Sequence, residues 1–136
     1  MKREIKFRGQ VSKGYNEDFY KQNFVYGSAI ICEDNISSTI INNEFEAEVD
    51  TYTIGQFTGL KDKNGIDIYE GDIVIVTEPA TNGMAEIVHN PVAVTWHEEI
   101  AGFNLGYVSN TMDIFYDYEI IGNVHQNPDI LGTVQK

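Results

Sequence analysis

The sequence holds a single cysteine, Cys32, and only three prolines among 136 residues. One cysteine makes no internal disulfide, so nothing marks an oxidised, disulfide-stapled scaffold. Basic residues are few: nine Lys and Arg stand against 21 Asp and Glu, a formal charge of −12. A chain this acidic repels the phosphates of DNA, RNA and anionic lipid, which argues against a general binder of any of them. No apolar run approaches the roughly 18 residues needed to span a bilayer. Met1–Arg8 interleaves charged with apolar residues and so has no signal-peptide core. Low-complexity tracts and fixed-period repeats are also missing. What is present is apolar material, 42% hydrophobic and 12% aromatic, enough for a packed core and too much for a disordered tail. The expectation is one small, soluble, cytoplasmic domain.

Strand signals dominate. Ile73–Thr77, Pro91–Trp96 and Glu119–Val124 are short runs rich in β-branched residues, bounded by Gly, Pro, Asn or Asp. Phe24–Ile31 and Ser38–Ile41 flank Glu33–Ile36, which reads as a hairpin connection. Leu60–Tyr69 carries Asn64 and Gly65, two residues that tolerate positive φ, so a type I′ hairpin turn is expected there. Ile66 and Ile68 then alternate with Asp67 and Tyr69, as in a half-buried strand. Helix signals are confined to residues 16–23 and to Asn127–Leu131, where an N-cap residue precedes Pro128. The fold class read from these elements is all-β, mainly antiparallel, with one or two short helices.

Charge is unevenly spread. Residues 1–30 hold six bases and three acids, a balance of +3, whereas residues 31–136 hold three bases and eighteen acids, a balance of −15. Either the basic first strand packs beside the acidic body of its own chain, or it docks on another copy and builds an oligomer. As an arm for nucleic acid it has too few bases. Glu44, Glu46, Glu48 and Asp50 alternate with Phe45, Ala47 and Val49. In a strand the carboxylates line one face at about 6.7 Å intervals, twice the rise per residue. That makes them a candidate interaction surface, suited to a basic partner or to imitating a phosphate strand. The plain alternative is a solvated face whose charges discourage edge-to-edge pairing.

Catalytic chemistry is harder to find. His89, His97, His125 and Cys32 show no zinc-ligating spacing. His97-Glu-Glu-Ile-Ala101 puts Ala where a metalloprotease helix needs its second His. The three histidines read as surface residues at turns or strand ends. Asp62-Lys-Asn-Gly65 looks like the middle of a calcium loop, yet Leu60 and Gly71 stand where the first and last ligands belong. Phosphate-cradling glycine motifs and a nucleophile elbow are missing. Cys32 reads as a small buried hydrophobe, and the eight tyrosines as strand packing with hydroxyls at the rim. No catalytic, cofactor-binding or metal residue is assigned, and a non-enzyme without cofactor is expected.

Three blocks are nonetheless distinctive: Arg3-Glu-Ile-Lys-Phe-Arg8, the stretch Thr53–Val74 containing Gly59-Leu-Lys-Asp-Lys-Asn-Gly-Ile-Asp-Ile-Tyr-Glu-Gly-Asp72, and Ile120-Ile-Gly-Asn-Val-His-Gln-Asn-Pro-Asp-Ile-Leu131. In this order they closely resemble the YopX family, small proteins of phages and integrated prophages. The blocks reach from one end of the chain to the other, and the divergent residues 9–52 and 75–118 are where a specific partner surface would lie. The resemblance implies a two-part β protein, an N-terminal β region over residues 1–52 and a small SH3-type barrel over residues 53–136, together one compact unit. In that frame Gly59 and Gly71 allow bends, Asn64 and Gly65 turn a hairpin, and Trp96 and Phe103 are core or rim aromatics. The family brings no enzyme activity to transfer. The expected role is a non-enzymatic phage accessory protein in a bacterial cytoplasm. It would contact a host or phage protein, with self-association into a homo-oligomer and no nucleic acid or membrane as direct partner. Two alternatives stay open: an acidic decoy that occupies a DNA-binding protein, and a small metal-dependent hydrolase whose carboxylates converge from distant positions.

Overall fold

A computed structural model describes residues 3–12, 24–32, 37–80, 83–105 and 116–132. The helix reading at 16–23 and the connection at 33–36 lie outside them. The described residues are mostly antiparallel β-strand with one short helix, the class read from the sequence. Among them no helix is long and apolar enough to cross a membrane. The chain divides within its fifth strand into two compact units, Met1–Phe57 and Thr58–Lys136.

The first unit contains β1 (Phe7–Gln10), β2 (Phe24–Ile31), β3 (Ser37–Ile41), β4 (Glu46–Asp50) and the start of β5 (Gly55–Lys61), in spatial order β4-β3-β2-β1-β5. β2 and β3 form the expected hairpin, with Ser28 opposite Ile41 and Ile30 opposite Thr39. The next hairpin is turned by Asn42, whose Oδ1 accepts the N–H groups of Glu44 at 2.8 Å and Phe45 at 3.1 Å. Alternation along the strands puts Val25, Ile40, Ala47 and Val49 into one core, with Phe7, Val11, Ala29, Phe45 and Ile54 packed around it. The sheet curls over this core until Val11 bridges Val49 and the Ser12 N–H donates to the Glu48 carbonyl at 3.1 Å.

Curling this tightly leaves no room for a side chain at two positions. A Cβ on Gly9 would lie 2.9 Å from Val49 Cγ2, and a Cβ on Gly27 would lie 2.2 Å from the Ile41 carbonyl oxygen. The basic residues of β1 and its approach are used locally. Arg8 is buried with its guanidinium 4.2 Å over the Phe24 ring. Lys6 pairs with Glu4 at 2.9 Å and lies 4.5 Å over the Phe57 ring.

In the second unit β5 turns into β6 (Asp67–Tyr69), followed by β7 (Asp72–Glu78), β8 (Ile87–Val88), β9 (Val92–Ala93), β10 (Thr95–His97), β11 (Gly102–Asn104), β12 (Asp117–Asn123) and the single helical turn α1 (Asp129–Gly132). β7 is central: β12 runs along one edge, and β9 and β8 share the other. Its apolar run reflects burial on both faces, with Ile73 and Val74 wholly inaccessible. The core joins Ile68, Val74, Val76, Val94 and Leu105, with Tyr116, Tyr118 and Ile120 among the residues packed against it. The run Pro91–Trp96 is interrupted at Val94, whose N–H donates to the Asp72 carbonyl and whose carbonyl accepts the Gly71 N–H. Two short strands therefore replace one. β10 and β11 pair as a separate ribbon, and no closed barrel forms among the described residues of the second unit. Of the implied SH3-type barrel, the structure supports the antiparallel strands alone.

The hairpin at residues 62–66 differs from the type I′ turn expected of Asn64 and Gly65. Gly65 has φ +81°, but no positive φ occurs at Asn64. The Gly65 N–H donates to the Asp62 carbonyl at 2.9 Å, and the Asp62 N–H donates to the Ile66 carbonyl at 2.7 Å. This is a longer loop in which a turn is followed by one left-handed glycine. The cause is Asp62, whose Oδ1 accepts the N–H groups of Asn64 at 2.9 Å and Ile66 at 3.0 Å. Its Oδ2 accepts the Ile120 N–H of β12 at 3.3 Å. Burial alone would raise the pKa of this carboxyl, but the N–H groups of Ile66, Ile120 and Asn64, together with the Lys63 charge, hold it below its ordinary value of 3.8. Lys63 in turn keeps its proton more tightly, because Glu119 accepts from it at 2.9 Å. At the far end the Asn127 carbonyl accepts the Ile130 N–H at 3.2 Å and opens the single terminal turn, whose helical residues are Asp129–Gly132, while its Oδ1 reaches back to accept the Asn123 N–H at 3.2 Å.

Two outcomes follow from this packing. Gly27→Ala forces β2 and β3 apart and lowers the unfolding free energy by about 2–3 kcal/mol in a denaturant titration. Asp62→Asn costs about 1–3 kcal/mol at neutral pH, since Asn keeps one acceptor for three donors. The Asp62 pKa is depressed in the folded chain, so its stabilisation is present above pH 3.8 and lost as pH falls through the lower folded value. Thermal melts between pH 2 and 5 therefore show a shallower acid loss for the variant than for the parent.

Candidate functional site

The carboxylates singled out by their alternation fall on β4 as the pattern requires. Glu46, Glu48 and Asp50 are exposed, while Ala47 and Val49 between them are buried in the core. Glu44 precedes the strand; it is exposed in the Asn42 turn and is not part of the row. Asp50 has a second task, because its Oδ1 accepts the Tyr52 N–H at 3.2 Å and starts the 3-10 turn Thr51–Thr53. Tyr52 stands 79% exposed just beyond it.

The register extends this row into a two-sided surface. Glu48 lies opposite Thr39, which lies opposite Ile30; Glu46 lies opposite Ile41, which lies opposite Ser28. Residues directly opposite in a sheet point to the same side. The outer face therefore grades from carboxylates on β4, through Thr39 and Ile41 on β3, to Ile30 at 56% and Tyr26 at 44% exposure on β2. Among the described residues no Lys, Arg or His lies within ion-pair distance of Glu46, Glu48 or Asp50. The bases of β1, spent on Glu4 and two aromatic rings, do not neutralise it.

A second constellation has no signature in the sequence. In the second unit, Glu78 at the end of β7 pairs with His89 just after β8, Nε2 to Oε2 at 3.1 Å, and accepts the Tyr116 hydroxyl on Oε1 at 3.3 Å. The three positions are 11 and 38 residues apart, and only the pairing of β7 with β8 and β12 gathers them. Both carboxylate oxygens are engaged, and the cluster ties the end of β8 to β7. Burial, and then the neighbouring Tyr116, push the Tyr118 hydroxyl pKa up. Of the histidines read as surface residues, His125 is exposed, whereas His89 and His97 are half-buried. Cys32 is corrected as well: it is exposed, not buried, because it follows the last residue of β2 where the strand has left the core. Trp96 and Phe103 face each other across β10 and β11 as an edge-on pair at 5.2 Å. Phe103 reaches the core, and Trp96 stays at the rim. Among the described residues no group of three or more His, Cys, Asp or Glu is placed to hold a metal ion.

If the β4 row has no part in folding, reversing it leaves stability intact. Glu46→Lys with Glu48→Lys changes the unfolding free energy by no more than about 0.5 kcal/mol. Ile40→Ala, in the core beneath, costs about 3 kcal/mol. Denaturant midpoints of the two variants make the comparison.

The fold has a counterpart. The crystal structure of protein EF1440 from Enterococcus faecalis is similar over 96% of this chain and 99% of its own, with 23% identity and a TM-score of 0.54. At that identity the likeness shows a shared fold. No curated protein matches the sequence. A family model described as YopX protein matches residues 6–132, nearly the whole length, and the chain belongs to the YopX family.

Proposed function

We propose that the chain is a non-enzymatic accessory protein of a phage or prophage, acting in the bacterial cytoplasm through protein–protein contacts made by the outer face of its first unit. The observation that carries this reading is the row Glu46, Glu48 and Asp50, exposed on a strand whose other side is core and met by no cation among the described residues. Like charges in a row on one strand face repel, and among the described residues only Asp50 of the three serves the fold, as the cap of the Thr51–Thr53 turn. Their use is sought outside the fold, where a basic protein surface complements them. Self-association belongs to the same reading, because residues 1–30 carry +3 against −15 in the remainder.

A second reading, the acidic decoy of a DNA-binding protein, draws on the net charge of −12. The β4 row supports it less well. Three carboxylates in one row are few against the one charge per roughly 1.7 Å of axis that a DNA duplex presents on its two strands. Affinity capture with tagged parent chain and with Glu46→Lys/Glu48→Lys separates the readings, using bacteria with an active phage, low and high salt, and mass spectrometry. A protein held by the parent and lost by the variant is the expected result. A nucleic-acid-binding protein released by modest salt from both forms would favour the decoy. A partner held equally by both in high salt would remove this face from the proposal.

A further inference from the structure

Resting on the interaction reading, we propose that the outer face of β2, β3 and β4 receives a basic amphipathic α-helix of a protein partner, laid along the strands. The face offers two parallel features. Glu46, Glu48 and Asp50 form one side; Ile41 and Thr39 on β3, then Ile30 and Ser28 on β2, form the other, with Tyr26 continuing β2 on the same face beyond Ser28. Adjacent strands lie about 4.8 Å apart, so the acidic row and the Ile30 row are separated by about 10 Å. That is the width of one helix with its side chains.

Spacing along the strands also suits a helix. Carboxylates at about 6.7 Å intervals meet cations at positions i, i+4 and i+8, which repeat about every 6 Å along a helix axis. The same helix turns its apolar stripe, at i+3 and i+7, toward Ile41 and Ile30. Addition of a partner strand to β4 is disfavoured. The β4 edge away from β3 already bonds β1's extension, through the Val11–Val49 bridge and the Ser12 N–H on the Glu48 carbonyl. A nucleic acid is disfavoured by the sign of the charge. The partner is therefore recognised by two properties together, cations on one flank of a helix and aliphatic residues on the next.

The test uses the full-length chain and a labelled helical peptide of about 18 residues, five turns. The peptide carries Lys at i, i+4 and i+8 and Leu at i+3 and i+7. A control has the same composition in permuted order, so its charge is equal and its apolar stripe is gone. Fluorescence anisotropy gives affinity, and amide shifts locate the binding. Binding to the parent chain weakens about tenfold or more in Glu46→Lys/Glu48→Lys, and severalfold in Ile30→Ser. Thermal melts confirm that both variants are folded. A peptide with Glu in place of Lys binds the double-Lys variant and not the parent, a charge swap that misfolding cannot produce. The proposal is overturned if the permuted peptide binds equally well, if Ile30→Ser has no effect, or if the amide shifts fall outside Tyr26–Asp50. Should those failures occur while the captured partner still depends on Glu46 and Glu48, the helix is the wrong occupant and the interaction reading stands.

Discussion

The first unit depends on a close approach of strands at two places where the chain has no side chain. Gly27 lets β2 lie against the Ile41 carbonyl, and Gly9 lets β1 reach Val49 across the curled sheet. With both present, the residues after β1 close on β4 through Val11 and Ser12. β4 is then held on both edges, by β3 and by this extension, and its alternation cannot slip. A slip of one residue would drive Glu46 and Glu48 into the core and expose Ala47 and Val49. Desolvating two carboxylates with no partner is so costly that the register is fixed. The outward aim of the acidic row is thus a consequence of packing beneath it.

The charge on that row is tolerable, and apart from the cap that Asp50 gives to Thr51–Thr53 it gives nothing back to the fold among the described residues. Two unit charges about 6.7 Å apart in water repel by about 0.6 kcal/mol, and physiological salt with a screening length near 8 Å reduces this further. Neutralisation from within was available in principle, since six bases lie in residues 1–30. Lys6 and Arg8 are committed elsewhere, to Glu4 and to the faces of Phe57 and Phe24. Cations placed over aromatic faces replace some of their lost hydration by the ring's negative potential. Among the described residues the row meets no cation, and it stands exposed on the same face as exposed isoleucine and tyrosine, a pairing of charge and apolar area that a solvated strand does not require.

The second unit has a different organising feature, the two-sided burial of β7. A strand buried on both faces needs both edges paired, and β12 on one side with β9 and β8 on the other provide this. Asp62 extends the same accounting to the hairpin, giving three backbone N–H groups an acceptor where water is excluded. The Glu78, His89 and Tyr116 cluster fastens the end of β8 to β7 through side-chain bonds.

Much of the strand pattern was legible because β-branched runs and period-two alternation are local properties. β2, β3, β7 and β12, and the solvent side of Glu46, Glu48 and Asp50, follow from neighbours in sequence. The misreadings share one cause. Asn64-Gly65 promised a two-residue turn, but Asp62 reshaped it by accepting N–H groups that include one 58 residues away. Cys32 seemed a core residue because it extends an apolar run, yet the curl of the sheet ends the core before it. The sequence by itself determined which residues alternate, how acidic the chain is and which family it belongs to, since these need only composition and order. Tertiary structure alone decided that the acidic row shares its face with Ile41 and Ile30 and that no cation among the described residues lies within ion-pair distance of it. Such proximity is set by strand register and by the close approach at Gly9 and Gly27, between residues that no local pattern relates.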